Sequence, residues 1–151
     1  YAQQAYAVLH ERQQNMIRDN AQGARDLLHF ESEIARNWPA VRVVSVVVKG
    51  HQQAHIGERL IATARVHIGN IRPEDVRIEL IHGPIDARNE IRPQSSQIMH
   101  MIGMEDGDPV FEGSSMCTTS GYQGCTVRIM PSHPAYMSSA DAGRATYAHP
   151  A

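Results

Sequence analysis

The chain has 151 residues and a mass of 16.8 kDa, the size of one domain with or without an appendage. Apolar residues make up 42% and charged residues 20%, which supports a packed core and excludes a wholly disordered chain. A net charge of -2 excludes a dedicated nucleic-acid binder, and no apolar run approaches the roughly 20 residues that span a bilayer.

Residues 1–38 are rich in Ala, Gln, Arg, Glu and Leu and contain no Pro. Val8, Leu9, Met16, Ile17, Ala24, Leu27, Leu28, Ile34 and Trp38 recur at spacings near three, four and seven, the pattern of an amphipathic helix. Asn20 and Gly23 interrupt it, which predicts two helices with a break over 20–23. Pro39 stops the second and pushes Trp38 toward extended geometry, as a buried plug at the hinge rather than a sugar platform. One apolar stripe cannot bury itself, so this arm needs a neighbouring domain to pack on.

Residues 39–134 change period from about three and a half to two. The β-branched run 41–48 reads as a strand buried on both faces. Leu60, Ala62, Ala64, Val66 and Ile68 alternate with Ile61, Thr63, Arg65 and His67 as a strand with one buried face. A turn over 69–75 is followed by a strand through Val76, Ile78 and Leu80, ended by His82-Gly-Pro84, and a loop over 85–93. Gln97–Met104 form a strand of poorly defined phase. Residues 110–116 and 125–130 read as a last pair across Ser120-Gly-Tyr-Gln-Gly124. Short strands without intervening helices predict an immunoglobulin-like antiparallel β-sandwich preceded by an N-terminal helical arm, ahead of a barrel. Residues 135–151, rich in Ser, Ala, His and Pro, read as an extended tail.

The chain opens on Tyr1 inside a helical pattern, without a leader peptide, and reads as a piece of a longer polypeptide. Two cysteines, Cys117 and Cys125, cannot make a disulfide framework, and in a reducing, cytoplasmic setting two ordinary buried thiols are expected ahead of a single disulfide across the turn they flank. No phosphate loop, nucleophile elbow or zinc helix motif is present in the sequence. His51 and His55 stand four apart, but in a loop with no further ligand spaced to complete a metal site. Met99, His100, Met101 and Met104 have the composition of a soft copper site, against which stands the use of Met as core filler. Tyr122 reads either as a corner tyrosine or as a turn residue. Glu74-Asp75 and Glu105-Asp106 are explained as turn residues. No catalytic, cofactor-binding or metal-binding residue is assigned.

Leu28-His-Phe-Glu-Ser-Glu-Ile-Ala-Arg-Asn-Trp-Pro-Ala-Val-Arg42 resembles the helix-to-sandwich junction of bacterial α-glucan (glycogen or starch) phosphorylases of the long type. Gly57-Glu58, the segment Ala64-Arg-Val-His-Ile-Gly-Asn-Ile-Arg-Pro-Glu-Asp-Val-Arg-Ile-Glu-Leu80, His82-Gly-Pro-Ile-Asp86 and Gly124-Cys-Thr-Val-Arg-Ile-Met-Pro-Ser-His-Pro134 continue that resemblance in order over 20–134. Two departures stand near the end: Cys125 replaces a usual aromatic residue, and 141–147 matches the family's ending only loosely. The resemblance implies a glycosyltransferase parent that uses pyridoxal phosphate to phosphorolyse α-1,4-glucan to glucose 1-phosphate, with this chain as its C-terminal module. The cofactor lysine of the family follows Gly-Met in the catalytic domain. The only lysine here, Lys49, follows Val46-Val-Val48 instead, so no catalytic or cofactor role is carried onto this chain. The expected role is packing and assembly against the parent's catalytic domains, with homo-oligomer contacts as a further option. A glucan-binding accessory sandwich is the alternative, and a copper-binding sandwich the lesser one. Neither a nucleic-acid nor a membrane partner is expected.

Overall fold

A computed structural model describes residues 2–50 and 53–148, with side chains described from residue 17 onward except at Ser139. The chain divides into two compact units, Tyr1–Arg36 and Asn37–Ala151.

The first unit is helical. Helix α1 runs unbroken over Ala2–Asn37, so the break expected at 20–23 does not occur. A helical Gly costs only about 1 kcal/mol relative to Ala, too little to end a long Pro-free run of helix formers. Gln22 supports the segment by donating to the Asp26 carboxylate one turn on, at 2.9 Å. Of the apolar stripe, Ile17 and Leu28 are exposed. Pro39 lies in the short 3-10 turn Trp38–Ala40 that follows the helix, and Trp38 is half-buried there.

The second unit contains nine described strands: β1 (Arg42–Lys49), β2 (Gln53–Ala54), β3 (Arg59–His67), β4 (Val76–Pro84), β5 (Ser95–Ile98), β6 (His100–Glu105), β7 (Asp108–Met116), β8 (Gly121–Pro131) and β9 (Thr146–Tyr147). One sheet has the order β1-β3-β7-β6 and the other β2-β8-β4-β5, with β9 also on β8. Every pairing is antiparallel. The first sheet matches the A-B-E-D order of immunoglobulin domains, and β4 beside β8 and β9 matches C-F-G. The immunoglobulin-like sandwich read from the strand spacing is the fold.

The core lies between the sheets. Leu60, Ala62, Ala64 and Val66 of β3 face Ile78 and Leu80 of β4 and Val127 and Ile129 of β8, all buried, as period-two alternation requires.

Three strand expectations are corrected. Strand β1 is not buried on both faces: it is an edge strand, with Val44, Val47 and Val48 exposed by 40%, 57% and 42%. A run of valines has the same pattern whether its second face is covered within the chain or left open. The segment Gln97–Met104 is two strands, because the chain leaves the second sheet after β5, where Ile98 pairs with Glu79, and enters the first in β6, where His100 pairs with Glu112. Its phase is blurred by that switch and by a bulge between Met101 and Gly103. Finally, β7 and β8 do not form a hairpin. They lie in opposite sheets, β7 between β3 and β6 and β8 beside β4. The tight hairpin is instead β6–β7, across Asp106 (φ 49°) and Gly107 (φ 82°), the Asp-Gly pair that a two-residue turn with two positive φ values favours.

Within residues 135–151, Ser138 and Asp141 cap a short 3-10 turn over Ser139–Ala142, and β9 pairs with Arg128 and Ile129.

Candidate functional site

Three places in the sandwich gather chemistry: the outward face of the first sheet, a cleft at the open edge between the sheets, and polar groups buried inside.

The outward face follows from the register. Val47 pairs with Thr63, Ile61 with Ser114, Arg59 with Met116, and Glu112 with His100, so these side chains share the face turned away from the core. Met116 is 52% exposed and Ile102 57% exposed. A groove of about 490 Å³ runs between Ile61, Ile98, His100, Ile102 and Glu112. One end of the face is charged. Asp108 Oδ2 accepts from Arg65 Nε at 3.0 Å and Nη2 at 2.9 Å, and its Oδ1 lies 2.8 Å from His67 Nδ1. The His67 hydrogen bond and the Arg65 guanidinium hold the Asp108 carboxyl below its ordinary range. Glu105 and Asp106, expected only as turn residues, also reach Arg65, at 3.8 and 3.4 Å.

The cleft, about 940 Å³, opens where the loop after β4 lies over the end of the second sheet. The loop is held down by Gly83, whose added Cβ would stand 1.8 Å from the Arg92 carbonyl oxygen, and by Gly124, whose added Cβ would meet Ile91 and Ile85 at 2.7 and 3.0 Å. Asp86 ties the loop together by accepting the backbone N–H groups of Arg88 and Glu90 at 2.9 and 3.0 Å. Tyr122 stands at the rim, 63% exposed. It is therefore a strand residue with an open ring rather than a corner tyrosine.

Inside the sandwich, His82 Nδ1 lies 3.2 Å from Ser115 Oγ, which lies 2.8 Å from Ser95 Oγ, and Cys117 Sγ is 3.8 Å from His82 Nε2. Burial lowers the His82 pKa and raises both thiols, so the imidazole is neutral and Cys117 and Cys125 are protonated. Both cysteines are free. On the outer side of β4, Glu79 is buried, accepts from the Ser96 hydroxyl, and faces Arg128 at 3.1 Å and Arg77 at 3.4 Å. Burial alone would raise this carboxyl, but Ser96, Arg128 and Arg77 outweigh it and hold it low. Sequence reasoning missed both groups. His82 was read only as the end of a strand, and Glu79 stands at an alternating position that reads as solvated.

The soft quartet is not gathered: Met99 is buried against Gly113, whereas His100 shares the outward face with Glu112. Among the described residues no group of three or more His, Cys, Asp or Glu could hold a metal, and His51 lies outside the described residues. Glu74 and Asp75 sit in a 3-10 turn and pair with Arg72 at 3.6 and 3.0 Å. Lys49 ends β1, exposed.

Comparison with known proteins bears on this arrangement. A family described as the glycogen phosphorylase C-terminal domain matches residues 38–149. The chain belongs to that family. As a glycogen phosphorylase C-terminal domain it is similar to glycogen phosphorylases from two strains of Mycobacterium tuberculosis, 28% identical over 127 residues, and from Mycobacterium bovis, 27% identical over the same length. The aligned part is 83% of this chain but 15% of each relative, so the chain spans a small share of their length. The match begins at Trp38, next to the boundary between the two units.

Proposed function

We propose that this chain is the non-catalytic structural and assembly module of an α-glucan phosphorylase whose other domains phosphorolyse α-1,4-glucan to glucose 1-phosphate in the cytoplasm. In this reading residues 1–38 are an arm that packs on the catalytic domains, 39–134 the sandwich, and 135–151 a tail laid along it. The observation that carries the proposal is the apolar character of surfaces that a solitary sandwich keeps polar: Val44 and Val47 on β1, Ile102 and Met116 across the first sheet, and Ile17 and Leu28 on α1, all exposed. Apolar side chains left exposed on both units are the kind of surface that meets another protein body, and the family membership supplies that body as the remainder of the phosphorylase. Homo-oligomer contacts through the same face are the secondary outcome.

The pyridoxal phosphate of the proposed parent does not fit this chain. Lys49 is its only lysine and stands exposed at a strand end, in water rather than in the desolvated setting that activates a lysine amine. In this reading the cofactor belongs to the remainder of the parent. No helix among the described residues is long and apolar enough to cross a membrane.

The test mixes the purified chain with the rest of its phosphorylase, produced separately. Co-elution in gel filtration and loss of apolar-dye binding are expected, with no glucose 1-phosphate formed by the chain alone. Independent elution with dye binding unchanged would refute the docking role.

A second reading, a glucan-holding accessory role, is favoured by one observation: an exposed tyrosine ring beside a cleft of mixed polarity.

A further inference from the structure

We infer that the cleft between the 85–91 loop and the start of β8 is a subsite for a short stretch of α-linked glucan, with Tyr122 as its stacking platform; the inference rests on the glucan-holding reading. A glucose unit has an apolar C–H face and a rim of hydroxyls, so its sites pair an aromatic or aliphatic wall with hydrogen-bonding groups held at fixed positions. The cleft has both.

Its apolar wall is Ile85 and Ile91, bridged to each other and seated on Gly124, so the loop is held on the sheet as a fixed surface. At the rim Tyr122 is 63% exposed, although its backbone is fixed in the ladder against Gln53 and its carbonyl accepts the Ile85 N–H at 3.1 Å. A large ring that is exposed yet immobilised at its base is available for stacking at little cost in ordering. The polar partner is Asn89, exposed on the loop tip at φ 62° and held there by its own N–H donating to the Asp86 carbonyl at 2.9 Å. Asp86 is the positioning residue: its carboxylate accepts the N–H groups of Arg88 and Glu90, which holds the backbone on either side of Asn89. The volume, about 940 Å³, lies in the range of pockets that enclose small ligands, and its mixed lining suits a sugar better than a wholly apolar ligand.

The test uses the full chain with two probes, soluble glycogen in affinity electrophoresis and maltoheptaose in an amide NMR titration. The expected result is retardation by glycogen and shifts clustered at Asn89, Ile91 and Tyr122. Tyr122→Ala and Asn89→Gly, the latter keeping the positive φ, each weaken binding about tenfold or more. Tyr147→Leu, at an exposed tyrosine on β9, leaves it unchanged. Retardation of the wild type that persists in both cleft variants, or maltoheptaose shifts elsewhere, overturns this subsite while the glucan reading stands. A wild type that neither shifts nor is retarded overturns both. The wild-type shift map decides the matter should a variant fail to fold.

Discussion

Gly83 and Gly124 stand opposite each other in β4 and β8, and the loop after β4 lies directly on them. Gly83 has no room for a methyl group, since the obstacle is the Arg92 carbonyl, a backbone atom that moves only with its loop. Gly83→Ala is expected to destabilise the chain by about 3 kcal/mol or more, the upper end of overpacking costs, read as a lowered urea midpoint. His82 makes a different prediction. Its imidazole is kept neutral by burial, below its ordinary value of 6.5, so the unfolded chain binds a proton more readily than the folded one as the pH falls past that value. Stability is therefore full above about pH 6.5 and declines below it, toward the folded pKa. Urea midpoints compared at pH 7.5 and 5.5 are expected to fall for the wild type and to fall less for His82→Gln. An equal fall in both would place the acid sensitivity elsewhere. Neither residue is conspicuous in the sequence. A glycine in a strand and a histidine before Gly-Pro have ordinary local explanations, and only the opposed loop and the facing Ser115 give them their roles.

At the scale of elements, β1 and the β5–β6 segment show what periodicity can and cannot tell. The alternation of β3 fixes one buried face because solvent and core lie on opposite sides of a pleated strand. Strand β1 carries valine on both sides, a pattern equally consistent with a central strand and with an edge whose second face meets another body. Its exposed valines make that second case testable. The double substitution Val44→Thr and Val47→Thr keeps β-branching, so chain stability is expected to change by no more than about 0.5 kcal/mol per site. If the proposed docking runs through β1, affinity for the rest of the proposed parent drops about tenfold or more, measured by calorimetric titration. Undiminished affinity would place the docking surface away from β1. In β5–β6 the buried Met99 falls between a strand of one sheet and a strand of the other, so the positions on either side of it belong to different sheets and share no single phase.

Over the whole molecule, the Asn37–Ala151 unit holds all nine described strands and both inward faces. Residues 37–151 expressed alone are expected to keep a β-sheet circular dichroism spectrum and unfold in one cooperative transition; a broad, non-cooperative melt would show that the sandwich depends on the arm. The sequence by itself determined the class of fold, because alternation, β-branching and turn chemistry are local and each strand carries its own copy of the signal. Its ordered motifs also pointed to the phosphorylase family that residues 38–149 match. Tertiary structure alone decided which strands are edges, that β7 and β8 part to opposite sheets, and that Tyr122, Asn89 and the 85–91 loop surround one cleft. These are non-local facts: they depend on which residues meet across large separations in the chain, and no window of neighbouring side chains carries that information.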